Sequence, residues 1–85
     1  MKRFKNLINK FKDNECTFLK MECAFSEATG DEVLNDISIN ELLENQSVSF
    51  CIDTINYLNV EFEIVEENKE EPLETIIKIT DISII

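Results

Sequence analysis

The side chains able to do chemistry are few in kind: three cysteines (Cys16, Cys23 and Cys51), 18 carboxylates and no histidine. Without histidine, the commonest general base and the usual activator of a serine or cysteine nucleophile are both missing. A nucleophilic Cys16 or Cys23 would need its thiol pKa lowered by nearby cations or a helix start, and a strongly acidic chain pushes the other way. The cysteines fit neither a CxxC pair nor a zinc box, and "TGDEVLND" lacks the ligand order of a calcium loop. A glycosidase-type carboxylate pair needs a sugar-sized cleft, which so short a chain does not build. There is no glycine-rich phosphate loop. The expectation is a protein that is not an enzyme and uses no metal or cofactor, with its cysteines reduced and mostly buried as small apolar residues.

What remains is binding, and the charge layout is the lead. Residues 1–12 carry Lys2, Arg3, Lys5, Lys10 and Lys12 and no acid, whereas residues 13–85 hold all 18 acids against Lys20, Lys69 and Lys78, a net charge of -15. Such a body repels nucleic acid and anionic membranes, which argues against direct nucleic-acid binding through the five basic residues. It attracts basic proteins and speeds their encounter. The plainer function of so many acids is solubility.

At 85 residues the chain suits one small domain, spanning 1–85. A domain of this size buries only about 60–65% of its unfolded surface, so a homodimer is a ready means of adding stability. No run approaches a membrane span, and MKRFKNLINKFK lacks the apolar core and cleavage site of a signal peptide. The expected compartment is a reducing cytoplasm.

Periodicity supplies the elements that must carry these charges. Phe4, Leu7, Ile8 and Phe11 recur at helical spacing with lysines on the other face, predicting an N-terminal amphipathic helix that docks on the protein's own sheet. From Thr17 the period changes to two: Leu19, Met21, Cys23 and Phe25 alternate with Lys20, Glu22, Ala24 and Ser26, which favours a strand. A helix over 16–28 would instead align Phe18, Met21, Phe25 and Ala28 and set Leu19 and Cys23 opposite them. "EATGDE" reads as a turn and Val33 to Ile37 as a second short strand. Ser38 caps a short helix with Glu41 three residues on, Ile39, Leu42 and Leu43 forming its apolar stripe. Strands follow at Val48 to Ile52, Val60 to Ile64 and Thr75 to Thr80, where Lys78 is expected to face a glutamate across the hairpin. "DISII" must bury its isoleucines, in the core or in a partner. The resulting order is αββαβββ: an α+β domain with an antiparallel sheet of about five strands, an N-terminal amphipathic helix and a short second helix.

The segment VEFEIVEENKEEPLE, residues 60–74, holds seven glutamates and divides in two. Glu61 and Glu63 are the wet side of a half-buried strand, which needs no functional account. The acids of the hairpin tip, Glu66, Glu67, Glu70, Glu71 and Glu74, are not explained by alternation. They are the first candidates for contact with a basic partner, joined by Asp31, Glu32, Asp36, Glu41 and Glu44. Two functional classes fit: an inhibitor whose acids occupy the basic groove of a nucleic-acid-processing enzyme, or a dimerising or adaptor module with exposed parts of the Ile-rich C-terminus as its contact and the acids as a solubilising rim.

A short, strongly acidic chain rich in Asn, Lys and Ile, without a catalytic or metal signature, resembles the small inhibitors encoded by phages and mobile elements, above all anti-CRISPR proteins. The resemblance covers the whole chain in style and no residue in particular, because those families share no motif. It implies an inhibitor of a CRISPR effector, acting by blocking nucleic-acid access or by gripping a domain that must move. The basic first helix departs from the most DNA-like members. An antitoxin or immunity protein neutralising a basic toxin would look much the same.

Overall fold

The computed structural model describes residues 4–85. Helix α1 (Lys5–Phe11) follows the predicted periodicity: Phe4 and Phe11 are buried and Leu7 and Ile8 pack against the core. The first helix is therefore docked on its own domain, with Lys10 in its last turn, where a cation favours the helix dipole. Lys2 and Arg3 lie outside the described residues. The chain turns through Asp13, whose φ of 66° is left-handed. Asp13 N–H donates to the Ile79 carbonyl (2.8 Å) and Ile79 N–H to the Asn14 carbonyl (3.0 Å). These bonds lead into a three-residue strand, β1 (Glu15–Thr17).

The stretch expected to be a strand from Thr17 to Ser26 is instead helix α2 (Phe18–Thr29). Thr17 caps it, its hydroxyl accepting from the Lys20 N–H at 3.2 Å. The sequence FLKMECAFSEAT is built mostly from residues that lose little rotamer freedom in a helix. Phe18, Met21, Glu22 and Phe25 face inward at i, i+3, i+4 and i+7, Leu19 is half-buried, and Cys23 is exposed. Phe18, an apolar residue next to Leu19 that the alternation leaves on the wrong face, is the sign of a helix. Gly30, at φ 82°, ends α2 and donates to the Ser26 carbonyl at 2.7 Å, so the one glycine stops a helix and does not turn a hairpin. The second expected strand, from Val33, is a 3-10 turn (Val33–Asn35). Helix α3 (Ile39–Asn45) forms as predicted, with the Ser38 hydroxyl accepting from the Glu41 N–H at 3.3 Å and Leu42 and Leu43 buried.

Strands β2 (Ser47–Cys51), β3 (Tyr57–Glu66) and β4 (Ile76–Ile84) complete an antiparallel sheet in the order β1-β4-β3-β2. The sheet has four strands, not five, because α2 and the 3-10 turn replace two expected strands and β1 adds a short one. Two bulges shift the phase of the β3-β4 pairing. The register shift between Glu61 and Phe62 lets Ile79 and Ile82, three residues apart, both face the core. The shift between Ile64 and Glu66 falls at Val65, which breaks the alternation of Val60, Phe62 and Ile64. One face of the sheet, bearing Val48, Phe50, Leu58, Val60, Phe62, Ile77, Ile79 and Ile82, joins residues of all three helices in a single core. Phe25 links its parts: its ring lies 5.3 Å from Phe11, edge to face, and 5.6 Å from Phe50, stacked.

Candidate functional site

Since the helices cover one side of the sheet, the strand residues pointing the other way form an open surface, and the register determines which of them meet. Glu63 stands opposite Lys78, and Lys78 opposite Glu15, so the expected cross-hairpin neighbour is present and a second carboxylate flanks the lysine from β1. The next row towards β2 is Asp81 beside Glu61 beside Ser47. On the other side, Glu66 pairs with Ile76 and Ile76 with Thr17. With strands about 4.8 Å apart and same-face residues about 6.7 Å apart along a strand, Glu15 and Glu63 flank Lys78, and Glu61, Asp81 and Glu66 lie in the adjoining rows. Asp81 also lies 4.0 Å from Lys12, a half-exposed pair worth about 0–1 kcal/mol.

The hairpin connection does not project into solvent as a free tip. Asn68 N–H donates to the Thr75 hydroxyl (3.1 Å), and Glu71 N–H donates to the Asn68 side-chain carbonyl (2.9 Å). Phe18 N–H donates to the Thr75 carbonyl (2.8 Å). The 3-10 turn Pro72–Glu74 then packs against α2 and α3, with Leu73 against the core. All five tip glutamates stay exposed. Glu66, Glu71 and Glu74 line one hollow with Thr17, Asn68 and Ile76, next to the acidic sheet face, while Glu67 and Glu70 lie outside it on the loop.

The other five candidates lie apart from this group. Asp31 is half-buried and its carboxylate accepts from the Cys51 N–H at 2.7 Å, tying the α2-α3 connection to the end of β2. Glu32 accepts from the Asn35 side-chain amide at 2.9 Å, Asp36 is exposed, and Glu41 and Glu44 are exposed on α3. Cys51 pairs with Tyr57, the first residue of β3, whereas Glu66 is the last. Asp31 and the tip are thus separated by roughly nine strand rises, about 30 Å. The ten predicted acids do not form one face. The ones missed were Glu15, Glu61, Glu63 and Asp81. Alternation had marked Glu61 and Glu63 as a wet strand face; nothing short of the strand register could add Asp81 and Glu15 to it.

The cysteines are free. Cys16 is half-buried, paired with Ile77 on the inner face, and burial pushes its thiol pKa up, against a lowering pull from Lys20 and a hydrogen bond to the Met21 backbone. Cys51 is half-buried, its thiol 3.0 Å from the Asp53 carbonyl. Cys23 corrects the expectation of burial: it is exposed on α2 because the helix turns it away from the core. With thiolate as the reacting species, a maleimide at neutral pH is expected to modify Cys23 first and Cys16 last, read by mass spectrometry of timed digests. Equal labelling of both would contradict the helix over 18–29. Among the described residues, no group of three or more Cys, Asp or Glu is placed to hold a metal ion, and no helix is long and apolar enough to cross a membrane.

The fold and surface define a small α+β domain, three helices on one side of a four-stranded antiparallel sheet whose other side is open and acidic. No family model matches the chain, and neither does any curated protein or solved structure.

Proposed function

We propose that the protein is a non-enzymatic, protein-binding inhibitor of the anti-CRISPR kind. Its acidic surface engages a basic nucleic-acid-processing effector and blocks nucleic-acid binding or activation. The observation that carries this reading is the open sheet face on which Glu15 and Glu63 flank Lys78 while Glu61, Asp81 and Glu66 occupy the adjoining rows and run on to the glutamates of the hairpin connection. In this region five carboxylates contributed by three strands outnumber two lysines, Lys78 and Lys12. Arginines and lysines that normally hold phosphates can pair with such carboxylates, and arginine does so bidentately. A duplex has one charge per about 1.7 Å of axis, several times denser than these acids at about 6.7 Å along a strand. The reading is therefore occupation of a basic groove with electrostatic steering, not a charge-for-charge copy of DNA.

The test is capture of the effector at low and at high salt by the protein and by its Glu61→Gln/Glu63→Gln/Asp81→Asn variant. These outward side chains are expected to be replaceable at a stability cost within about 0.5 kcal/mol each. The unaltered protein should retain a basic nucleic-acid enzyme, inhibit its nucleic-acid binding and release it as salt rises. The variant should bind and inhibit at least tenfold more weakly. Full inhibition by the variant, or binding indifferent to salt, would remove the sheet face from the mechanism.

A further inference from the structure

A second interaction surface lies on the edge of the sheet, independent of whatever the acidic face binds. Strand β2 is the outermost strand on one side. Its phase is set by the Phe62 N–H donating to the Gln46 carbonyl (3.0 Å) and the Ile52 N–H to the Asn56 carbonyl (2.9 Å). Backbone groups of the even-numbered residues therefore turn to β3, and those of Ser47, Ser49 and Cys51 turn outward. The Cys51 N–H is taken by the Asp31 carboxylate at 2.7 Å. Ser47 and Ser49 are left to present outward donors and acceptors.

Edge strands in monomers are usually guarded by lysines, prolines, bulges or a covering segment. Residues 45–52, NQSVSFCI, contain no charge and no proline in a chain that is 31% charged, and the pairing of β2 with β3 is without a bulge. The opposite edge is different: β1 covers the first part of β4, and Asp13 and Asn14 bond Ile79.

We infer that β2 pairs with β2 of a second copy across a two-fold axis at Val48, joining the two sheets into one of eight antiparallel strands. Ser47 then stands opposite the partner copy's Ser49 and the converse, which uses the four outward donor and acceptor groups of Ser47 and Ser49 on each edge and leaves Asp31 on Cys51. Charge favours this occupant. Two molecules each of net charge -10 meet with least repulsion along residues 45–52, where the one carboxylate on the edge, Asp31, is already bonded to the Cys51 N–H. A basic peptide would be drawn instead to the acidic face. In this register the two copies of Glu61, the nearest acids on the open face, are three strand spacings and two residues apart, about 16 Å. That exceeds the Debye length of about 8 Å at physiological salt. So short an edge makes a small interface, in the weak and reversible range.

Sedimentation equilibrium of the full chain under reductant, from about 10 μM to 1 mM, tests the inference. The protein is expected to pass from monomer to dimer across this range. Ser49→Pro removes an outward N–H that the β2-β3 ladder does not use, a placement proline tolerates on an edge. Ser49→Glu brings two like charges to the axis from an exposed position. Both should weaken dimerisation at least tenfold with an unchanged circular dichroism spectrum; if the proline variant fails to fold, the glutamate variant decides. A chain monomeric up to the highest concentration would overturn the inference and leave the edge to another strand. A dimer indifferent to Ser49→Glu would equally overturn it, placing self-association on another face.

Discussion

Replacing Phe25 with alanine is expected to bring the domain close to unfolding at room temperature. The ring is fully buried, edge to face with Phe11 and stacked on Phe50, so it bonds α1, α2 and β2 through one side chain. Truncating a buried phenylalanine costs about 3–5 kcal/mol, and each aromatic pair adds about 0.5–1.5 kcal/mol to what is lost. A domain of this length has about 4–13 kcal/mol of total stability at 0.05–0.15 kcal/mol per residue, so a single substitution removes a large share of it. Urea melts read the effect as a fall in midpoint with little change in slope. Phe18→Ala should cost a similar amount, since Phe18 is equally buried and sits edge to face with Phe62. Cys23→Ser, on the exposed side of α2, should shift stability by less than about 0.5 kcal/mol. A large loss at Cys23 with a small one at Phe18 would restore the alternating strand and overturn α2.

Asp31→Ala is expected to cost about 1.5–3 kcal/mol, the range for a hydrogen bond to a charged group. Its carboxylate accepts the Cys51 N–H across twenty residues of chain and fixes the α2-α3 connection against the sheet edge. Removing it leaves a half-buried backbone donor without its acceptor. Hydrogen exchange locates the effect: the Cys51 amide should lose protection well before the amides of Val48 and Phe50, which bond β3. Asp31→Asn, which keeps an oxygen acceptor, should recover part of the loss. If Asp31→Ala instead left stability and exchange unchanged while weakening capture of a basic partner, Asp31 would return to the partner-binding role that charge alone assigned it.

These two residues mark where sequence reading succeeded and where it stopped. Helix α1, the capped start of α3 and strands β2, β3 and β4 were legible because each has a single period or a cap that one conformation satisfies. Helix α2 was not, because Met21 and Phe25 are four apart and satisfy both a strand and a helix. The decision then rests on Phe18, Leu19 and Cys23, and on a threonine cap adjoining a strand. Strand β1 is three residues long, too short for any period, and exists because β4 pairs with it while Asp13 and Asn14, just before it, bond Ile79 of β4. The candidate acids behave in the same way. Their number and their concentration after residue 12 were visible, yet Asp31 turned out to be engaged by the backbone and Asp81 joined Glu61.

By itself, the sequence determined the α+β class, the acidity of everything after the first helix and the apolar residues available for a core. These follow from composition and from spacings of a few residues, which local geometry converts directly into faces. Only the tertiary structure decided that the helices share one side of the sheet, that the hairpin connection folds back on α2 and α3, and which acids stand together. Those outcomes depend on strand order, on two bulges and on pairings between residues far apart in the chain, where a shift of one residue would send every side chain to the opposite face.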